Sequence, residues 1–183
     1  MPITIGAKRE SDFSDPIGML GDCHRRIERF LHVLVKVAAQ NGGVLDEEQR
    51  TALTTSLRYF RDAAPKHTAD EEDSLFPRLR KTGGAEALSL LARIESLEQE
   101  HECASGAHDE VELLGQRWLD QGTLNAVEAA RFPVLAGQLA TLYRRHIEIE
   151  DTEIFPAASR ILSDADRAAV GAEMANRRGI PSR

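Results

Sequence analysis

The sequence predicts an all-α fold, an antiparallel up-down-up-down four-helix bundle with an N-terminal arm and a short C-terminal fifth helix. Apolar residues recur at helical spacing along four long segments, and no segment alternates apolar and polar residues as a half-buried strand would. Two segments also repeat one motif, which indicates a duplicated structural unit. We divide the chain into an arm at residues 1–14, the bundle at 15–160, and a short helix with a tail at 161–183.

The repeat relates residues 67–77 to residues 146–156. Each segment reads His-x-x-x-Glu and then Phe-Pro at the same distance. A further histidine precedes each motif at a similar interval, since His24 lies before His67 and His101 lies before His146. The chain therefore looks like two copies of one helical hairpin, each carrying a histidine and then a His-x-x-x-Glu.

Composition bounds the function. A chain of 183 residues, 42% of them hydrophobic, suffices for one domain with a sizeable core. The apolar runs are shorter than the roughly 20 residues of a membrane-spanning helix, and residues 1–15 lack the apolar stretch of a secretion signal. The formal charge of −7 and the lack of a long basic run argue against nucleic acid as a partner. Two cysteines, Cys23 and Cys103, fit reduced thiols better than a disulfide scaffold. We therefore expect a cytoplasmic protein with neither a membrane nor a nucleic-acid partner.

The first two helices are separated by a turn at residues 41–43. The first helix is expected to begin at Asp15, a capping residue, followed by Pro16, which is tolerated at the first helical position. The second is expected to begin at Asp46 and to be kinked by Pro65. The buried positions predicted for the first helix are Ile17, Leu20, Ile27, Leu31, Leu34 and Val35.

The third helix is predicted at residues 85–120 and the fourth from the break at 121–123 to about residue 158, with Pro133 inside it. Ser163 is predicted to cap a fifth helix at 164–177. Its modest apolar content, Ala168, Val170 and Met174, suits a helix that covers the outside of the bundle. The buried side predicted for the third helix is marked by Leu88, Leu91, Ile94, Leu97, His101, Leu113, Leu114 and Trp118.

Helix lengths predict that the four histidines of the repeat meet. Antiparallel neighbours place residues side by side when these lie equally far from the connecting turn, and the histidines lie at nearly equal distances from their turns. Within His-x-x-x-Glu the two side chains are about 40° apart around the helix, so both point inward. The candidate metal ligands are His24, His67, Glu71, His101, His146 and Glu150.

Such a cluster is costly in a dry interior unless something compensates it. Two divalent ions roughly 3.5–4 Å apart would do so, with the glutamates as bridges and the histidines as terminal ligands. Mixed nitrogen and oxygen ligands suit zinc, manganese or copper as well as iron.

With these residues the sequence resembles the hemerythrin-like (HHE cation-binding) family, in its bacterial form. The family signature is His on the first helix, His-x-x-x-Glu on the second, His on the third and His-x-x-x-Glu on the fourth. Here the resemblance covers about residues 15–158. It implies a non-haem di-iron centre, with two iron ions, in a four-helix bundle that binds or senses O2 or a related small ligand such as peroxide or nitric oxide.

This chain differs from the oxygen-carrying hemerythrins at two positions. They have His-x-x-x-His on the third helix, where this chain has Ser105, and a fourth-helix carboxylate five residues after its histidine, which here is Asp151 rather than Glu150. One iron would then have fewer protein ligands, which suits binding, sensing or peroxide turnover better than hydroxylation. The alternatives are a peroxide-consuming di-iron enzyme with catalase-like activity and a metal-free helical interaction module.

Several neighbouring residues could add to the site. Glu72, Asp73 and Asp151 are expected to be mostly solvated, although Asp151 could reach the site or hold a ligand histidine by its second nitrogen. Tyr143 could donate a hydrogen bond to a bound ligand, coordinate iron or fill the core. His108 shares the face of His101 but lies about 10.5 Å along the helix. Glu28 is expected to pair with Arg25, and His32 and Cys103 to lie away from the site.

Overall fold

The computed structural model describes residues 10–180, and over this range the chain is helical and contains no strand. The predictions for most of the arm, residues 1–9, and for the end of the tail, 181–183, lie outside the described residues. The α-helices are α1 (Pro16–Ala38), α2 (Glu47–Asp62), α3 (Ala64–Ala69), α4 (Phe76–Thr82), α5 (Gly84–Gln121), α6 (Ala126–Ile149), α7 (Phe155–Ile161) and α8 (Asp164–Arg177). Two π-helical segments, π1 (Asp70–Leu75) and π2 (Glu150–Ile154), join α3 to α4 and α6 to α7.

The helix starts follow the predicted caps. Asp15 accepts a hydrogen bond from the Gly18 amide, with Pro16 as the first residue of α1. Asp46 and Gln49 form a reciprocal capping box at the start of α2, and Ser163 caps α8. The predicted break before His67 is confirmed, because α2 ends at Asp62 and α3 begins at Ala64.

The four long helices contact one another in a closed ring. Helix α1 packs against α2 and α6, and α5 packs against the same two helices. At one end, the Leu124 amide donates to the Gly42 carbonyl at 2.8 Å and the Trp118 indole donates to the Gly43 carbonyl at 2.7 Å. At the other end, Arg160 of α7 pairs with Glu86 at the start of α5. This is the arrangement expected of a helical bundle.

Two apolar clusters fill the interior, and a polar layer separates them. One cluster contains Ile27 of α1 and Ala104 of α5, and the other contains Leu20 and Leu97 of the same helices. The candidate ligands lie between these clusters. Within residues 10–180, no helix has the length and apolar character needed to cross a bilayer.

Three predicted core positions were wrong. Leu88 is 62% exposed, Leu113 is 57% exposed and Val35 is 39% exposed. On α5, Ala87 is buried instead of Leu88, one residue or about 100° of rotation away. Leu114 is buried as predicted, whereas the adjacent Leu113 is not. Leucines cluster on several sides of this helix, so spacing alone did not distinguish its buried face.

Helix α8 does more than cover the outside. Val170 and Met174 are fully buried in the second apolar cluster, whereas Ala168 is exposed. The described part of the arm packs beside it, and a Cβ at Gly171 would lie 2.0 Å from the Phe13 carbonyl oxygen. Because only glycine allows that approach, the arm and α8 are closely packed.

Candidate metal centre

The six predicted ligands come from six elements and meet in the polar layer. His24 lies on α1, His67 on α3, His101 on α5 and His146 on α6, while the two glutamates lie on the π-helical segments. All are buried except His101, whose side chain is 7% exposed. These candidate ligand residues are His24, His67, Glu71, His101, His146 and Glu150.

Both glutamates sit where the helix widens. The Phe76 amide donates to the Glu71 carbonyl, and the Phe155 amide donates to the Glu150 carbonyl, five residues back in each case. A proline follows each phenylalanine. Because proline has no N–H and its ring clashes with the carbonyl four residues earlier, a regular α-helical turn cannot continue there. The Phe-Pro of the sequence repeat therefore follows a repeated π-turn, a feature often found at functional sites.

The ligand atoms lie close together. The Nε2 atom of His24 is 3.1 Å from a Glu150 oxygen and 3.7 Å from a Glu71 oxygen. Each histidine of a His-x-x-x-Glu lies 3.2 Å from its own glutamate, measured from Nε2 of His67 and of His146. His101 lies 3.6 Å from the second oxygen of Glu71.

These atoms form two groups that share both carboxylates. One group joins His24 and His67 with the two glutamates, and the other joins His101 and His146 with the same glutamates. Within each group the ligand atoms lie within 4.8 Å of one another. Two cations sharing two carboxylates would fit this arrangement.

Several buried polar atoms of the cluster lack hydrogen bonds. Although the distances above are short, within residues 10–180 none of the four carboxylate oxygens of Glu71 and Glu150 forms a hydrogen bond, nor do the Nε2 atoms of His24 and His146. Buried groups of this kind are normally hydrogen-bonded, and leaving one unpaired costs roughly 1–3 kcal/mol. Cations bound in both groups would satisfy these atoms.

Burial and neighbouring charges shift the pKa values of the candidate ligands in opposite directions. Burial and the neighbouring Glu150 raise the pKa of Glu71 to about 8, although His24 lowers it. Burial lowers the pKa of His67 well below its usual value, helped by the nearby His24. Burial also opposes the charge of His24, but the carboxylates around it outweigh that effect and raise its pKa. Protons therefore occupy part of this cluster, as expected for a site that exchanges protons for metal.

In three of the four histidines, the Nδ1 atom that faces away from the cluster is hydrogen-bonded to a carboxylate. The Nδ1–H of His24 donates to Asp151 at 2.8 Å, that of His101 to Glu72 at 2.8 Å, and that of His146 to Glu100 at 3.1 Å. Such contacts hold the ring so that Nε2 faces the centre. Nδ1 of His67 is buried without a hydrogen-bond partner among the residues that the structure describes.

These contacts decide several sequence predictions. Asp151 does hold a histidine by its second nitrogen, as we considered. Glu72, predicted to be mostly solvated, is 35% exposed and also accepts a hydrogen bond from His101. Asp73 is exposed as predicted, and Glu100 was missed. The repeat carried a usable signal for the first two, because Glu72 and Asp151 each follow the ligand glutamate of their motif. No comparable pattern identified Glu100.

The remaining candidates lie outside the cluster. Glu28 is exposed, and Arg25 pairs with Asp22 rather than with it. His108 does not reach the ligands, and its Nε2 lies 3.0 Å from the buried hydroxyl of Tyr143. The Tyr143 ring centroid is 6.0 Å from that of His146. As expected, His32 and Cys103 are exposed.

Comparison with known proteins agrees with this geometry. A family model described as "Hemerythrin HHE cation binding domain" matches residues 15–158. The chain belongs to this family. The hemerythrin-like chain is also 34% identical over 96 residues to a protein of Haemophilus influenzae named "Uncharacterized protein". That match covers 49% of this chain and 51% of the relative, so the chain spans about half the length of the curated relative it matches. Family membership and the two His/Glu groups together indicate metal binding.

Proposed function

We propose that this hemerythrin-like protein holds two iron ions and binds O2 or a related small ligand, such as peroxide or nitric oxide. The observation that carries the proposal is the pair of buried carboxylates shared by two histidine pairs. Their unpaired oxygens leave the cluster incomplete without cations. Iron, rather than another divalent metal, is inferred from membership of the hemerythrin family.

We further propose the up-down-up-down arrangement of α1, α2 with α3, α5 and α6. The hydrogen bonds from Leu124 and Trp118 join the α1–α2 and α5–α6 connections at one end. The ion pair of Arg160 with Glu86 joins the start of α5 to the segment that follows α6 at the other end. Both observations support alternating helix directions. The division at residues 15–160 and a cytoplasmic location belong to the same proposal, the latter because Cys23 and Cys103 are free thiols.

Each ion would be held by two imidazoles and by the two shared carboxylates. His24 and His67 would hold one, and His101 and His146 the other. The bound irons would supply a redox-active centre with a position for an external ligand, because few protein ligands surround each of them. Asp151, Glu72 and Glu100 orient three of the imidazoles, and the flanking apolar clusters limit water around the site.

A peroxide-consuming activity is the second candidate, and one contact favours it. The hydroxyl of Tyr143 and Nε2 of His108 lie 3.0 Å apart, and the Tyr143 ring lies beside His146. A neutral imidazole and a phenol can each accept or give a proton, as peroxide chemistry requires. The unpaired buried ligand atoms argue against a metal-free interaction module.

Elemental analysis of protein purified without chelator tests the metal proposal. We expect two irons per chain in the wild type and strongly reduced metal in His67→Ala and in Glu150→Ala. Glu148→Ala is the matched control, because Glu148 lies between the ligand positions 146 and 150 in the sequence but is exposed. Fewer than about one ion per chain in the wild type would contradict the proposal.

Exposure of the reduced protein to O2 separates the two candidate functions. A stable charge-transfer absorption band is expected if the protein binds O2. Oxygen evolution from hydrogen peroxide, lost in Glu150→Ala, would instead establish the peroxide-consuming reaction.

A further inference from the structure

A cavity of about 350 Å³ lies beside the candidate metal centre, between α2, α3, α5 and α6. His101 and Tyr143 line it near the centre, and His108 lines it about two turns further along α5. Ligand-binding cavities in proteins have volumes of roughly 300–1,000 Å³, whereas a water molecule accounts for roughly 30 Å³ of liquid. The cavity is therefore far larger than O2 or nitric oxide requires.

Two local features open this space. Helix α2 stops at Asp62, and α3 restarts with Pro65 in its first turn, so the wall is interrupted beside the cavity. Ser105, a small side chain, lines the cavity one turn after His101. Both features lie outside the set of metal ligands.

The wall combines apolar surfaces with a few polar groups. Leu57, Phe60, Ala64 and Val111 supply apolar surface, and the Phe60 ring lies 5.0 Å from the His108 ring. The polar contact of His108 with Tyr143 is at the same wall. An apolar pocket with a few converging polar groups is typical of a site for a small organic molecule.

The charge of the lining favours an uncharged ligand. Burial lowers the pKa of His108 to about 4, although Asp109 opposes this, so the imidazole is neutral near pH 7. The Arg61 guanidinium is already paired with Glu112 at 2.8 Å and with Asp62 at 3.2 Å. Among residues 10–180, the cavity wall therefore contains no unpaired cationic side chain that could bind an anion.

We propose that this cavity binds a small uncharged organic molecule bearing a hydroxyl group, an alcohol or a phenol, with that hydroxyl hydrogen-bonded to the Tyr143 hydroxyl, which His108 already holds. The apolar part of the ligand packs against Phe60 and Val111. This inference goes beyond the proposed metal function and does not depend on it. His101 also lines the cavity, but the groups that would contact the molecule, the apolar wall and Tyr143, are not candidate metal ligands.

Binding of benzyl alcohol, followed by calorimetry and by the NMR signals of His108, tests the proposal in metal-loaded and metal-free protein. Saturable binding with one site is expected in the wild type. Ser105→Phe should fill the cavity from its exposed side and weaken binding at least about tenfold. Leu113→Phe is the control, because Leu113 is exposed on the same helix and does not line the cavity.

Two comparisons test the chemistry of the ligand. Tyr143→Phe keeps the ring and removes its hydroxyl, so benzyl alcohol should bind roughly three- to tenfold more weakly, as for one lost hydrogen bond. Toluene should bind more weakly than benzyl alcohol to the wild type and equally to both proteins, and benzoate should not compete.

The proposal is overturned if benzyl alcohol does not bind the wild type, if Ser105→Phe binds it as well as Leu113→Phe does, or if toluene binds as well as the alcohol. Metal content measured in the same samples keeps the two proposals apart. Binding of benzyl alcohol to a protein that takes up no iron would refute the di-iron function alone.

Discussion

At the residue scale, the carboxylates behind the histidines are as informative as the ligands themselves. Glu72 and Asp151 hold equivalent positions in the two motifs, yet each accepts a hydrogen bond from a histidine on another helix, His101 and His24 respectively. A carboxylate in this place fixes the ring and raises its basicity. The repeat therefore encodes support for the site as well as its ligands.

Replacing one of these carboxylates should weaken the metal site without unfolding it. For Glu72→Gln we expect metal affinity to fall roughly 10–100-fold, because the His101 ring loses its charged acceptor. Competition with a chelator of known affinity measures this. Glu102→Gln, on an exposed neighbour of His101, is the control. Equal affinities of the two variants would contradict the role given to Glu72.

His108 should make stability fall in acid. Its pKa is about 4 in the folded chain and 6.5 when unperturbed, so the unfolded state gains a proton first as the pH falls. Its contribution to stability is fully present above pH 6.5 and is lost progressively toward pH 4. By about pH 4.5 the metal-free wild type should lose roughly 2–3 kcal/mol relative to His108→Gln. Denaturant unfolding of both proteins across this range provides the measurement, and parallel pH profiles would refute it.

At the scale of elements, α8 is tied to the π-turn that carries Glu71. Asp70 is fully buried and accepts from Arg177 at 2.8 Å and from Arg178 at 2.6 Å. Arg177 also donates to the Ser74 hydroxyl at 2.7 Å. The end of α8 therefore anchors both ends of the π1 segment.

Removing both arginines should leave Asp70 as a buried charge without a partner. For Arg177→Ala/Arg178→Ala we expect the free energy of unfolding to fall by roughly 3–5 kcal/mol. The matched control is Arg58→Ala/Lys81→Ala, which removes two exposed cations. If the two double variants unfold at the same denaturant concentration, α8 does not stabilise π1 in this way.

At the scale of the whole molecule, two apolar clusters are separated by a layer of buried carboxylates and imidazoles. We expect Glu71→Gln/Glu150→Gln to abolish metal binding, because both shared carboxylates are lost. Iron should therefore raise the melting temperature of the wild type only, since a ligand stabilises only the state that binds it. Thermal unfolding with and without anaerobic Fe(II) checks this expectation, and an equal rise in both proteins would contradict it.

Much of this architecture could be predicted from the sequence because capping residues and the repeat act locally. Asp15, Asp46 and Ser163 mark helix starts, and equal spacing from the turns brings the six ligand residues together. The exposure of Leu88 and the reach of Glu100 toward His146 depend on the rotation of α5 against its neighbours, which periodicity within one helix does not determine. The π-turns also escaped prediction, since 3.6-residue spacing assumes an unbroken α-helix.

His67 differs from the other three histidines in a way that should affect the order in which the two metal ions bind. Its ring is the least constrained of the four, because in the part of the chain that the structure describes its Nδ1 has no hydrogen-bond partner. The half of the centre formed with His24 should therefore exchange its ion faster. Loading would then be stepwise. A chain taken halfway through such a sequence could carry different metals in its two halves.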